Sequence, residues 1–253
     1  MRFTKMHGLG NDFVVVGPEV AMSPELVTRM CDRRFGVGAD GVLAVSKPGD
    51  RVRMEYWNAD GSEAEMCGNG LRCVARHAVD SGLVDTEAFV VDTPAGPKRV
   101  IVRADAVSVE LGPVRVESSV VIEGFDLMRV DVGNPHAVAL ADPERVDLAV
   151  SGPAIEHDPL FPHGTNVEFF KPVSDTAVTM RVWERGVGET LACGTGMVAV
   201  AAAARASGHV NPDAREVSVT VPGGMASVSF GDGVWLTGPA LTVFEGVWLS
   251  EPS

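Results

Sequence analysis

Two stretches of this chain are written on one pattern. Glu65 to Val84 contains Cys67-Gly-Asn-Gly-Leu-Arg72, and Leu191 to Val210 contains Cys193-Gly-Thr-Gly196, at an offset of 126 residues. In that register Gly68 meets Gly194 and Gly70 meets Gly196, while Val74, Ala75, Ala78, Ser81, Gly82 and Val84 meet identical residues at Val200, Ala201, Ala204, Ser207, Gly208 and Val210. The match runs back without a gap through Glu63/Glu189, Trp57/Trp183 and Met54/Met180. Self-similarity of this length confines the chain to two halves built on one plan.

Each copy predicts a strand, a glycine-bearing turn and a helix that starts at the cysteine and stops at Ser-Gly, where glycine takes the left-handed C-terminal conformation. The second helix is Ala/Val on nearly every side, the pattern of a helix buried all round. Each cysteine therefore stands at the N-terminus of a wrapped helix. Unpaired N–H groups and the positive dipole end lower a thiol's pKa at such a place and also bind a carboxylate. Two such thiols on related halves imply one site in the cleft between them, with a sulfur on each side.

The 253 residues leave room for two modest domains. A net charge of −13 excludes a general binder of nucleic acid or of anionic membrane, since both need basic surfaces. The opening Met1 to Gly8 has no apolar core of signal-peptide length, no run approaches a membrane span, and four cysteines without a paired framework fit a reducing cytoplasm, which is the expected location. No Cys-x-x-Cys or histidine cluster supports a metal site.

In chain order, strands are expected at Arg2–Met6 and Phe13–Val16 around the Gly8–Asp12 turn, followed by a helix with Ser23 as N-cap and Pro24 in its first turn. Leu26, Val27, Met30 and Cys31 share one face of it, so Cys31 reads as core. Gly36, Gly38 and Gly41 match G-x-G-x-x-G formally. They follow a helix and lead into the strand Val42–Val45, the reverse of the dinucleotide-binding context. Val52–Trp57 is an alternating strand, and Asn58 to Ser62 turns the chain toward the first cysteine helix. Cys73 lies about 120° from Cys67 around that helix and its counterpart is Ala199, so it too reads as core.

Phe89 to Leu111 reads as strand-turn-strand, and the chain crosses into its second half near Pro113. Strands follow at Met128–Val132, Ala137–Leu140, Thr165–Phe170 and Ala177–Trp183, the last delivering Glu184-Arg185 into the slot of Asn58-Ala59. Closing strands are expected at Glu216–Thr220, Ala226–Phe230 and Val234–Thr237, with Leu241–Leu249 returning to the first sheet. The expected domains are residues 1–114, completed by the C-terminal strand 240–253, and residues 115–239.

Two cysteines facing one carbon can do what a single one cannot. A thiolate removes a proton from one face while a thiol returns one to the other, inverting the centre without a cofactor. The developing carbanion is stabilised if its carboxylate is held by both helix N-termini in a closed, dry site.

Phe3 to Phe13, Asn58 to Ser62, Met66 to Arg72, Gly133-Asn-Pro-His136, Trp183 to Gly186 and Ala192 to Gly196 together resemble the diaminopimelate epimerases, in order and through almost the whole chain. The resemblance implies an α+β fold of two pseudo-symmetric domains, each a barrel-like mixed β-sheet wrapped around a central helix. It implies conversion of LL-2,6-diaminopimelate to the meso form for lysine and peptidoglycan synthesis, independent of pyridoxal phosphate, by a homodimer. Carried over, Cys67 and Cys193 are the acid/base pair, and Gly68, Asn69, Gly194 and Thr195 supply N–H groups to the reacting carboxylate. His136 and Glu184 tune protonation and engage the reacting amino group. Asn11, Asn58, Asn134, Asn166 and Arg185 hold the distal amino-acid end, as amides and a two-pronged guanidinium can. Gly41 departs from the family, where many relatives carry a glutamine that lines the site. Two rivals remain: a two-cysteine racemase of another amino acid, such as histidine or a proline derivative, and a thiol redox sensor with a regulatory Cys67–Cys193 disulfide. Only an enzyme washes solvent deuterium into a substrate's α-carbon.

Overall fold

The structure is a computed structural model describing residues 1–64 and 66–249. Glu65, at the start of the first repeat, and residues 250–253, the end of the expected C-terminal strand, lie outside the described residues. The chain divides into two compact units, Met1–Val109 with Gly238–Ser253, and Glu110–Thr237.

Unit 1 begins with β1 (Arg2–Gly8) and β2 (Asn11–Val16), followed by α1 (Pro24–Cys31), β3 (Gly41–Ser46), β4 (Val52–Asn58) and the short β5 (Glu63–Ala64). Then come α2 (Gly68–Asp80), β6 (Ala88–Thr93), β7 (Gly96–Val102) and β8 (Val107–Glu110). Strands β1/β2, β3/β4, β6/β7 and β7/β8 pair antiparallel, while β2/β3 and β4/β6 are parallel. The parallel joins are bridged by α1 and α2, as a crossover connection requires.

Unit 2 repeats the plan with β9 (Arg115–Ile122), β10 (Phe125–Asp131), β11 (Pro135–Leu140), α3 (Leu148–Glu156), β12 (Asn166–Ser174), β13 (Ala177–Glu184) and β14 (Gly188–Thr190). It continues with α4 (Gly194–Ala206), β15 (Glu216–Val221), β16 (Gly224–Gly231) and β17 (Gly233–Gly238). Again two joins are parallel, β11/β12 and β13/β15, and the rest antiparallel. The last strand, β18 (Leu241–Val247), pairs with β1, as β9 pairs with β10 at the start of unit 2. Unit 1 thus draws from the chain's end the strand that unit 2 has at its beginning.

The cysteine helices sit inside these sheets. α2 packs on β1, β2, β3, β4 and β7, and α4 on strands β9 to β13, β15 and β16. Every residue of α4 from Met197 to Ala204 is buried, as its Ala/Val composition predicts. α2 buries Leu71, Cys73, Val74, Ala75 and Ala78, so Cys73 is core. Each fully buried side chain of leucine size contributes about 2 kcal/mol. Ser81 and Ser207 cap the two C-termini, and Gly82 and Gly208 follow with φ of 72° at both. Outside the cysteine helices, α1 covers a core of Val14, Val27, Met30, Cys31 and Val42, and α3 covers one of Leu127, Leu148, Ile155, Val167 and Phe169.

Three elements differ from the sequence expectation. Phe89 to Leu111 forms three strands, because the chain turns once at Gly96, with φ of 90°, and again between Val102 and Val107. Strand β9, which begins just after Pro113, was not expected. Helix α3 was not expected: its nine residues are mostly apolar, carry Gly152 and Pro153 inside and lack a side-chain N-cap bond. Among the described residues no helix is long and apolar enough to cross a membrane.

Candidate active site

Cys67 caps α2 from an extended backbone conformation, φ −135° and ψ 124°, and Cys193 caps α4 at φ −114° and ψ 116°. A cap residue leaves the next N–H groups without helical partners, so Gly68 and Asn69 in unit 1, and Gly194 and Thr195 in unit 2, stand at the two N-termini. No cysteine is in a disulfide.

Around Cys67, the β1–β2 turn supplies Asn11. Its Oδ1 accepts from the Cys67 thiol at 3.5 Å and from Asn69 Nδ2 at 3.1 Å. Its Nδ2 donates to Asp40 Oδ2 at 2.7 Å, which fixes the orientation of the amide. Asp40 also accepts the Asp12 N–H at 3.1 Å and an Arg33 bond at 2.7 Å. Burial would raise the Asp12 carboxyl, but hydrogen bonds from Arg33 and Lys5 hold it down to about 2. Lys5 donates as well to the carbonyl of Gly38, which sits at φ +75°. The glycine-rich segment is therefore a folded brace behind Asn11. It follows α1 and enters β3, the context that excludes a dinucleotide fingerprint.

Arg72, on the second turn of α2, is wholly buried. It donates to Asn69 Oδ1 at 2.9 Å and to the Pro239 carbonyl at 3.3 Å. Asn58 ends β4 opposite Gly41 and is held in its own turn, donating to Ser62 Oγ at 3.1 Å. Gly41 has no room for a side chain, since a Cβ there would lie 2.5 Å from the Trp57 carbonyl and 2.6 Å from Tyr56 Cε2. The Tyr56 ring occupies the space that a side chain at Gly41 would need.

Around Cys193 the company is acidic. The sulfur accepts from the Gly196 N–H at 3.4 Å and lies 3.5 Å from Thr195 Oγ1. Asn134 donates to Thr195 Oγ1 at 3.3 Å, and its Oδ1 meets His136 Nε2 at 3.1 Å. His136 Nδ1 is 2.6 Å from Glu168 Oε1, and both residues are buried. Glu184, at the end of β13, accepts from Thr190 Oγ1. Burial raises its carboxyl above the usual range, against the hydrogen bonds from Thr190 and Cys193. Cys193 is itself pushed well above the ordinary thiol range, first by burial and then by the charges of Glu184 and Glu168. This corrects the expectation of a lowered thiol pKa there, because desolvation and two carboxylates outweigh one helix end.

Asn166 and Arg185 form a separate pair. Asn166 Oδ1 accepts the Arg185 N–H at 3.0 Å, and its Nδ2 donates to the Pro135 carbonyl at 2.9 Å. The Arg185 side chain is exposed and lies over Gly164, whose φ is +72°. Glu156 of α3 clamps this hairpin, accepting from Trp183 Nε1 at 2.7 Å and the Gly186 N–H at 2.8 Å.

In unit 1, then, Cys67, Gly68, Asn69 and Asn11 come together, while Asn58 bonds within its own turn. In unit 2, Cys193, Gly194, Thr195, Asn134, His136 and Glu184 come together, with Asn166 and Arg185 alongside. Sequence reasoning missed Asp40, Arg72, Glu156 and Glu168. Glu168 carried one signal, a lone carboxylate in the otherwise apolar run Val167 to Phe170.

Residues 3–117 and 128–241 match the model of the family described as diaminopimelate epimerase. The chain is 43% identical to a diaminopimelate epimerase of Carboxydothermus hydrogenoformans, covering 97% of this chain and 98% of the relative. It is also 43% identical to one of Desulforudis audaxviator, covering 98% and 99%. Among solved structures, a probable proline racemase from Agrobacterium radiobacter superposes with a TM-score of 0.76 at 17% identity, covering 99% of this chain and 93% of that one. A PhzF-family phenazine biosynthesis protein from Bacillus anthracis gives 0.77 at 14%, covering 98% and 99%. At those identities the likeness shows the fold alone, a two-fold repeat of mixed sheet around helix.

Proposed function

Because the chain belongs to the diaminopimelate epimerase family, we propose that it interconverts LL- and meso-2,6-diaminopimelate by passing a proton across the α-carbon between Cys67 and Cys193. The observation that carries this reading is the pair of cysteine N-caps, repeated on two units of one topology. One sulfur, as thiolate, takes the α-proton while the other, as thiol, protonates the opposite face. The reacting carboxylate is bound by the N–H groups of Gly68, Asn69, Gly194 and Thr195, whose dipoles stabilise the charge that develops as the C–H bond breaks. Glu184 and His136 receive the reacting ammonium, and its positive charge lowers the cost of a thiolate at Cys193.

Asn11, Asn58 and Asn134 offer amides to the distal ammonium and carboxylate, and Arg185 grips that carboxylate. Asn166 serves by fixing the Arg185 backbone. The chemistry requires no cofactor. Removing an α-proton requires that water be excluded from the reacting carbon.

We place this activity in the cytoplasm, in a homodimer. β18 exposes Leu241, Val243, Phe244 and Val247, and Phe35, Phe244, Val247 and Leu249 line one open groove together, an exposed apolar patch of the kind that marks an assembly face. Sedimentation of wild type and Phe244→Glu tests the assembly: a dimer that becomes a monomer supports it, and a monomeric wild type ends it.

The activity is tested by incubating the protein with LL-diaminopimelate in heavy water without pyridoxal phosphate. Formation of the meso isomer with deuterium at the inverted centre is the expected result. Absence of turnover, alongside turnover of another amino acid, would reject the substrate.

A further inference from the structure

Strand pairing matches the positions beneath the two cysteine helices, and their chemistry differs. Phe13 pairs with Gly41 in unit 1 as His136 pairs with Asn166 in unit 2, so Phe13 corresponds to His136 and Leu43 to Glu168. Phe13 and Leu43 are both 0% exposed, and their counterparts are equally sealed at 1% and 0%. The second glycine of each motif faces the same place. A Cβ on Gly70 would lie 3.2 Å from Leu43 Cδ2, and one on Gly196 would lie 2.7 Å from Glu168 Oε1. One unit fills the space under its helix with hydrocarbon, the other with a carboxylate and an imidazole.

This substitution is costly for stability. Glu168 Oε2 makes no hydrogen bond among the described residues, and an unsatisfied buried oxygen costs about 1–3 kcal/mol. The chain itself shows that an apolar pair serves the fold equally well, so the carboxylate is explained by chemistry rather than by packing.

We propose that Glu168 is a positioning residue that orients His136 and biases the cysteine pair, so that Cys193 carries the proton in the unliganded protein and Cys67 is the thiolate. The proposal rests on the two-cysteine reading above. Glu168 Oε1 holds the ring at Nδ1, directing Nε2 to Asn134 and, through it, to Thr195 beside Cys193. The groups facing Cys193 are Glu184 from β13, Glu168 from β12, and Thr195 and the Gly196 N–H from its own helix. Both charges among these are negative and disfavour a thiolate. α2 carries the opposite charge: Arg72, where the repeat has Val198, is 0% exposed and attracts a Cys67 thiolate.

The test is carboxymethylation of each cysteine, followed separately by peptide mass spectrometry across a pH series, with the midpoint read rather than the rate because access differs. In the wild type the Cys193 midpoint should lie above that of Cys67. In Glu168→Gln the Cys193 midpoint should fall by about one pH unit, a tenfold gain in thiolate near neutrality, with Cys67 unmoved. Glu168→Asp should restore much of the wild-type midpoint, and the kcat profile against pH should follow the same order. A wild type with equal or inverted midpoints overturns the bias whether or not a variant folds. A folded Glu168→Gln with an unshifted Cys193 midpoint overturns the role of Glu168. Deuterium exchange into diaminopimelate keeps the two readings apart: a wild type that exchanges while its midpoints are equal defeats only this proposal, and one that does not exchange defeats the function itself.

Discussion

Cys67 lies against an amide and a helix with a buried guanidinium, whereas Cys193 lies between two carboxylates. A helix end contributes about 0.3–1 kcal/mol to an adjacent charge, less than one pKa unit, while full burial moves a group by up to about 3–5 units. Burial therefore decides the state of Cys193 until a charged substrate enters. Since each sulfur serves one face, Cys67→Ala and Cys193→Ala should each lower epimerisation by about 100-fold or more, the range of a lost acid/base group. Chiral chromatography of both isomers checks this, and near-normal turnover in either variant would defeat the two-base scheme. The thiols used for packing make a separate prediction. Burial pushes Cys31 up to about 11 and Cys73 up to about 12 from an ordinary value of 9.0. A folded pKa above the unfolded one gives stability that is intact below pH 9 and lost as pH rises through the folded values. By pH 10 each thiol should cost about 1 kcal/mol, and denaturant melts of Cys31→Ala or Cys73→Ala should show a shallower decline than the wild type between pH 9 and 11.

Elements with strong local signals were legible in the sequence. α1 announced itself through Ser23, whose Oγ accepts the Leu26 N–H at 3.2 Å, and through Pro24. α2 and α4 did so through a cysteine at one end and Ser-Gly at the other. α3 was not legible because it is short, mostly apolar and interrupted by Gly152 and Pro153, and its N-cap Asp147 makes no side-chain cap bond. Glu168 was not legible for a different reason. The offset of the repeat is 126 at the cysteines, 125 at Gly41/Asn166 and 123 at Phe13/His136, so a fixed-offset comparison never sets Glu168 against Leu43. Loop lengths differ between the copies, and only strand pairing restores the match. The helix entries then give a paired test. Gly196→Ala drives a methyl against Glu168 Oε1 beside Cys193, whereas Gly70→Ala meets the movable Leu43 Cδ2. Gly196→Ala should lower kcat by about tenfold or more while Gly70→Ala costs under about 1 kcal/mol of stability, consistent with the contrast between displacing a catalytic constellation and a small overpacking. Steady-state kinetics with thermal melts of both variants decide it, and equal kinetic losses would count against the special place of Glu168.

The two units share one topology but use the chain differently. Unit 2 is assembled from a single continuous segment, Glu110–Thr237, and its outer strand β9 comes first in sequence. Unit 1 must wait for β18, which follows all of unit 2 and pairs with β1 over six register positions from Arg2↔Val247 to His7↔Leu241. Without β18, β1 would present an unpaired edge, and Phe3 would lose Phe244, whose ring lies 6.0 Å away in an edge-on contact. Exposed strand edges that carry apolar residues promote aggregation. A fragment of residues 110–237 should therefore fold alone, with a cooperative unfolding transition and dispersed amide resonances. A fragment of residues 1–109 should aggregate or remain unfolded, and a version with residues 238–253 fused ahead of Met1 through a flexible linker should recover cooperative unfolding. Each fragment holds one cysteine helix, so neither should turn over an amino acid, and mixing them should restore exchange only if both fold. A cooperatively folding 1–109 fragment would show that β18 is dispensable to unit 1, and an unfolded 110–237 fragment would show that the second copy of the plan is not self-sufficient.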